Sequence, residues 1–328
     1  MTAQSRRDFE AAQYTLRATF YYRSHYIWQS LQELLAHQNH EVSWPEGTEL
    51  GISERALEQL SDLNVPLWRV FAHPEVLRAE PRLTRYYRCL ALLPQKGLGR
   101  LAFGTAALEA RGGRLSAERA RRLAGVLNNL ISSLVESDPE WSLERAETAA
   151  LLNLGSQING SWRNEIGEEG NRQAKTLLTA ALLDDEVVVS ITLLDGSQPE
   201  LPIDSEVAIR VREIVTTNGF RVRFASEPDV AVRDARGVLV GTIEVKYGSD
   251  SAGALERYGA VRKSFEAAAR ENARVQNVYL ANVITEEVRK RIDEDRLVAA
   301  TFEFSEIFLS QQERERFLRF FKRRLLDL

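Results

Sequence analysis

Between Glu227 and Phe265 the chain reads EPDVAVRDARGVLVGTIEVKYGSDSAGALERYGAVRKSF, and few folds accommodate such a run. Val230 to Arg233 and Val238 to Lys246 are rich in β-branched residues. The intervening Asp234-Ala235-Arg236-Gly237 suits a hairpin loop whose glycine takes the left-handed conformation. Side chains alternate along a strand, so Glu244 and Lys246 share one face while Ile243 and Val245 point into the core. With the turn between Ala235 and Arg236, Asp229 falls opposite Thr242 and is a diagonal neighbour of Glu244. Their β-carbons are then about 7–8 Å apart at most. A slip of one residue would turn one carboxylate away.

Two carboxylates so placed can grip one cation, and their hard oxygens suit Mg²⁺, which keeps several of its waters. A metal-bound water is a usable nucleophile, and the metal offsets charge building on a phosphoryl oxygen. Lys246, on the same face, can orient that water or neutralise a phosphate. This is the logic of phosphodiester cleavage. An ordinary edge hairpin with its charges in water would use the same residue types. An Asp followed at loose spacing by acidic-x-Lys arises by chance about once or twice in a chain of average composition. Three features favour the cation site: Pro228 before the Asp, Glu-x-Lys at a strand end, and a helix expected directly afterwards, from about Ser251 to Asn272.

Pro228-Asp229 with Glu244-Val245-Lys246 resembles the PD-(D/E)xK nuclease superfamily. The continuation from Ser249 to Phe265 is similar to type II restriction endonucleases of the XcyI kind, and the resemblance covers roughly Val187 to Ile284. It implies a mixed-sheet α/β (α+β) core, with Asp229 and Glu244 as metal ligands joined by the Val245 carbonyl, Lys246 as the catalytic lysine, and Mg²⁺ as cofactor. Many members add a Glu from the helix before the core. Here Gly170-Asn171-Arg172-Gln173-Ala174-Lys175 occupies that region, with Glu165, Glu168 and Glu169 just upstream, and none of these aligns with that role.

At 328 residues the chain is long enough for two domains. A helical N-terminal domain is expected over 1–158, gripping DNA or forming a dimer, and a nuclease domain over 159–328. No stretch approaches the ~20 apolar residues of a membrane span. The first residues lack the apolar core of a signal peptide, so a cytoplasmic location is expected. Cys89 stands alone, which excludes an intrachain disulfide or a cysteine-built zinc site. A net charge of −4 gives no global pull toward nucleic acid, so any such face must be a local patch.

Helical periodicity runs from residue 1 to about 38, with the aromatic cluster Phe20, Tyr21, Tyr22, Tyr26 and Trp28 read as core. His37 and His40 are read as helix-end residues and not as metal ligands. From Lys96 to Arg122, seven basic side chains face two acidic ones, a window of net +5. Its glycines let backbone amides approach phosphate, so Lys96, Arg100, Arg119 and Arg122 are candidate DNA-backbone contacts; a solvated helix face is the other reading. Gly155 to Asn164 reads as a polar loop in which Gln157, Asn159, Arg163 and Asn164 are candidate base contacts, or simply a linker. Further on, a helix over Ser205–Thr217 closed by Asn218-Gly219 is expected, then a strand at Phe220–Phe224. In the last helix Phe317, Phe320, Phe321 and Leu325 form an apolar face suited to docking or a dimer contact.

These expectations combine into a Mg²⁺-dependent endonuclease cutting double-stranded DNA at a specific short site, acting as a homodimer because a palindrome has two-fold symmetry. Two other readings stay open. One is a DNA repair or junction-resolving nuclease with the same metal site. The other is a non-catalytic DNA-binding protein on a nuclease-like scaffold, which predicts loss of Asp229, Glu244 or Lys246; all three are present.

Overall fold

Alternating β-branched residues give a seven-stranded sheet: β1 (Val188–Leu193), β2 (Val211–Thr216), β3 (Arg221–Phe224), β4 (Val230–Arg233), β5 (Leu239–Lys246), β6 (Gln276–Ala281) and β7 (Ala300–Glu303). The computed structural model describes residues 3–36, 42–44 and 49–328. Its principal helices are α1 (Ala3–Ser24), α2 (Ala117–Ser137), α3 (Leu143–Asp184), α4 (Ala254–Glu271), α5 (Glu286–Asp295) and α6 (Gln311–Phe320). His37, His40 and Pro45-Glu46-Gly47 lie outside the described residues. No helix among the described residues is long and apolar enough to cross a membrane.

The strands lie side by side in chain order. Strands β1 to β5 pair antiparallel, β1 and β2 through a long connection that holds the turn of helix Ser205–Ala208 and the rest through short turns, whereas β5–β6 and β6–β7 pair parallel. Parallel neighbours need crossovers, and α4 and α5 supply them. The β4–β5 turn is the expected D-A-R-G. Asp234 Oδ1 accepts from the backbone N–H groups of Arg236 and Val238, both at 2.9 Å, and Gly237 sits at φ +83°.

The chain divides into two compact units. One is Thr19–Ser161, and the other combines the chain up to Ala18 with Trp162–Leu328. The break falls close to the expected 158/159, but the first part of α1 groups with the sheet and not with the helical unit.

In the sheet-bearing unit both faces of the central strands are covered. Alternation in β6 sends Val278 and Leu280 into a core with α3 and the C-terminal helices, and Tyr279 and Ala281 into a second core with α4 and α5. The apolar face of α6 and the π-helical turn at Phe321–Leu325 packs on its own sheet: Phe317 meets Phe302 at a ring separation of 5.0 Å. Of the two expectations for that face, docking or a dimer contact, the structure shows docking within the chain. In the helical unit the core forms around Tyr86, Tyr87, Leu123 and Leu127. Asn128 is buried there and donates to the carbonyls of Leu50 and Ala72, both at 2.9 Å. Among the N-terminal aromatics, Trp28 packs against this core, but Tyr22 and Tyr26 are exposed, contrary to the core reading.

Two segments differ from expectation. Gly155–Asn164 is not a loop; it lies inside α3, which runs unbroken for 42 residues. A glycine in a helix costs only about 1 kcal/mol relative to Ala, and packing along the rest of the helix outweighs it. The helix expected over Ser205–Thr217 is a single turn at Ser205–Ala208 followed by β2, and Asn218-Gly219 turns the β2–β3 hairpin. Val211, Ile214 and Thr216 are buried, a spacing that both helix and strand periods tolerate over so short a run.

Candidate active site

Asp229 precedes β4, and Glu244, Val245 and Lys246 end β5. Pairing runs Val230 with Ile243 and Ala231 with Thr242, shifted by an irregularity at Val232/Arg233. One step further along this register, Asp229 is level with Glu244, not opposite Thr242 as expected. The displacement is two residues, so the side chains keep their faces and the carboxylates come closer than diagonal neighbours.

Asp229 Oδ2 accepts a hydrogen bond from the Val245 N–H at 2.8 Å. The Lys246 ammonium donates to Glu244 Oε2 at 3.0 Å, to the Val245 carbonyl at 3.1 Å and to Asp229 Oδ2 at 3.4 Å. Both carboxylates are almost wholly buried, Asp229 at 8% and Glu244 at 4% exposure. Burial pushes the Glu244 carboxyl above its ordinary range; the Asp229 charge adds to this and Lys246 opposes it. At Lys246 burial alone would lower the ammonium's pKa, but Asp229 and Glu244 together outweigh it and raise it.

The three oxygens that receive the ammonium are those implied as Mg²⁺ ligands, so a cation already rests on the donor set. Glu244 Oε1 is buried without a hydrogen bond of normal geometry, though the Ser264 hydroxyl on α4 approaches its carboxylate. A carboxylate oxygen so lightly engaged can still accept a metal or its water. Among the described residues no three His, Cys, Asp or Glu side chains are grouped to hold a metal. A cation here would rest on two carboxylates and a carbonyl, with water completing its shell, as Mg²⁺ prefers. The residues fit the ion.

The upstream acids do not join this cluster. Arg172 engages Glu169 at 2.8 Å and Glu165 at 3.1 Å, and Glu168 is exposed. Instead Asn171 reaches the hairpin, its Nδ2 donating to Asp229 Oδ1 at 2.9 Å. Sequence reasoning missed this contact, because nothing local marks a helical Asn as facing a strand elsewhere in the chain. Gly170 was the available signal: an alanine Cβ there would lie 2.3 Å from Tyr247 Cβ, so only glycine lets α3 ride this close to the end of β5.

The candidate DNA contacts scatter. Lys96, Arg100, Arg119 and Arg122 are all exposed, as are Arg111, Arg114 and Arg121. Arg119 lies over the Phe103 ring at 3.8 Å. Of the two acids in that window, Glu109 is buried, held by Arg88 at 2.7 Å, so only Glu118 offsets the surface charge. Gln157 and Asn159 are engaged internally: Gln157 Oε1 accepts from Arg88 Nη2 and Asn159 Oδ1 from the Tyr21 hydroxyl, both at 2.9 Å. Arg163 and Asn164 are exposed on α3.

The chain is similar to the type II restriction enzyme XcyI of Xanthomonas campestris pv. cyanopsidis, with 27% identity over 214 residues. That match spans 61% of this chain and 59% of the relative. The family model of the XcyI restriction endonuclease matches residues 46–294, which contain the whole hairpin, α3 and α4. With more than half the chain matched and the carboxylate–lysine cluster inside the match, this protein belongs to the XcyI restriction endonuclease family.

Proposed function

We propose that the chain is a Mg²⁺-dependent type II restriction endonuclease that hydrolyses phosphodiester bonds of double-stranded DNA at a specific short site, acting as a homodimer. The observation that carries this reading is the convergence of Asp229 Oδ2, Glu244 Oε2 and the Val245 carbonyl on one cation, the Lys246 ammonium. A hairpin with merely solvated charges would not bury two carboxylates beneath a half-buried lysine.

In this reading Asp229, Glu244 and the Val245 carbonyl would hold the Mg²⁺, which when bound would supply an activated water and offset charge on the phosphate. Lys246, at the same end of β5, would serve the scissile phosphate once a metal took its place on the carboxylates, its charge counting most as negative charge builds on the phosphoryl oxygens. Burial of Glu244 excludes bulk water and strengthens these interactions. Lys96, Arg100, Arg119 and Arg122 supply sequence-independent phosphate contacts. Arg163 and Asn164 remain candidates for base reading; Gln157 and Asn159 would first have to leave their internal partners.

Incubating purified protein with a plasmid of known sequence and Mg²⁺ tests the proposal. Discrete fragments, absent with Asp229→Ala and Glu244→Ala and absent when Ca²⁺ replaces Mg²⁺, are the expected result. A smear would point to a nuclease that reads DNA shape instead. Intact plasmid despite specific binding would leave a non-catalytic DNA-binding protein.

A further inference from the structure

Asp229 receives hydrogen bonds from two directions. The Val245 N–H reaches Oδ2 from within the hairpin, and the Asn171 amide reaches Oδ1 from α3. Two donors on different oxygens fix the plane of a carboxylate, because rotation about its terminal bond would break one or the other. With Oδ1 so engaged, the free lone pair of Oδ2 is left toward the place where the Lys246 ammonium now sits.

The helix is seated for this contact. At Gly170 the backbone of α3 lies against β5 so closely that an alanine Cβ would be 2.3 Å from Tyr247 Cβ and 3.4 Å from Val245 Cγ1. Only at such a separation can a side chain as short as asparagine span from helix to hairpin. The neighbouring polar groups of α3 are committed to one another: Arg172 holds Glu165 and Glu169, and Gln173 donates to Glu169 at 2.7 Å. Asn171 Oδ1 is buried with no hydrogen-bond partner. Its amide is therefore oriented by the bond that its NH₂ gives to Asp229.

We infer that Asn171 is a positioning residue of the catalytic centre, an amide donor that holds Asp229 in its cation-binding orientation. The inference rests on Asp229 being a metal ligand as proposed above. A donor at this position differs in kind from an acid: it orients the ligand and adds no negative charge to the site. Outer-sphere partners of this kind typically change metal affinity by about 10–100-fold when removed.

The test uses the full chain, with Ca²⁺ binding measured calorimetrically without DNA and single-turnover cleavage measured with Mg²⁺. Thermal melts confirm that each variant is folded. Asn171→Ala should weaken Ca²⁺ binding and slow cleavage by about 10–100-fold each, with DNA affinity in EDTA unchanged. Asn171→Asp should be worse on both counts, since it sets a like charge against Asp229 Oδ1 and removes the donor. Wild-type Ca²⁺ affinity in Asn171→Ala would overturn the inference. So would an Asn171→Asp protein that binds Ca²⁺ as well as wild type or better, which would make residue 171 a ligand and not a donor. Asp229→Ala separates the two levels: if it binds Ca²⁺ like wild type, Asp229 is no ligand and the nuclease reading itself fails.

Discussion

Gly170 and Tyr247 stand closer than any other residue type at position 170 would permit, and this contact sets the distance between α3 and β5. Alanine at 170 must push the helix off β5, and overpacking of this kind costs about 1–3 kcal/mol. Elsewhere in the same helix, a Cβ at Gly155 or Gly167 meets nothing within 4 Å. Gly170→Ala should therefore lower stability and cleavage together, whereas Gly155→Ala or Gly167→Ala should raise stability by up to about 1 kcal/mol. Urea denaturation reads both signs, and a stabilised Gly170→Ala would show that the close seat is not needed.

Lys246 lies on the oxygens that the metal would use, so ammonium and metal compete for one place. Lys246→Met should bind Ca²⁺ more tightly than wild type in the absence of DNA, yet should not cleave with Mg²⁺. Unchanged or weaker Ca²⁺ binding would mean that the lysine stays clear of the ion.

Glu244 has its pKa raised by burial, so the folded protein holds that proton more tightly than the unfolded chain. Its titration therefore favours folding at low pH, and this contribution is lost as pH rises through the folded pKa. Glu244→Gln, a neutral isostere, should raise the melting temperature at pH 7 while abolishing cleavage. The gain should shrink as pH falls below the ordinary carboxylate range. A lower melting temperature at pH 7 would mean that the Lys246 attraction outweighs the burial cost.

Arg88 and Glu109 form a buried pair in the helical unit, with Glu109 also accepting from Thr105 and Gln95. Removing one member strands the other: Arg88→Met should cost about 3–5 kcal/mol in chemical denaturation. The double variant Arg88→Met, Glu109→Leu should recover much of that loss. If the double variant is as unstable as the single one, the network holds the core by shape and not by charge balance.

Arg119, Arg121 and Arg122 are exposed on α2, and at 3.6 residues per turn only two of them can share a face toward DNA. Replacing all three with alanine should weaken binding to every sequence alike and reduce the slope of log K against log salt by about two at most. An unchanged slope would place the DNA elsewhere.

The hairpin was legible because its information is local: β-branched strands, an Asp-to-Gly turn, and acidic and basic side chains two apart on one face. Its register was not: the turn centres on Arg236 and not between Ala235 and Arg236, and the irregularity at Val232/Arg233 adds a second step. Asn171 could not be seen because its partner is 58 positions away. Gln157 and Asn159 looked free for bases because Arg88 and Tyr21, which claim them, are brought near only by folding. The glycines of α3 misled for a related reason: their helix cost is read locally, whereas the packing that overrides it is not.

The back of β5 is closed by a distant part of the chain. A Cβ at Gly241 would lie 2.8 Å from Leu325, and Asn218 donates to the Leu326 carbonyl at 2.7 Å. The β2–β5 meander is built from near-neighbour turns and can zip up while the chain is still emerging from the ribosome, but the Leu325 part of its cover is not yet translated. A nascent chain halted before Leu325 thus carries Glu244 and Lys246 on a strand whose face is covered by α3 at one end and still open at Gly241. The strand that carries Glu244 and Lys246 gains this part of its cover only with the last helical turn, well after those residues have been made.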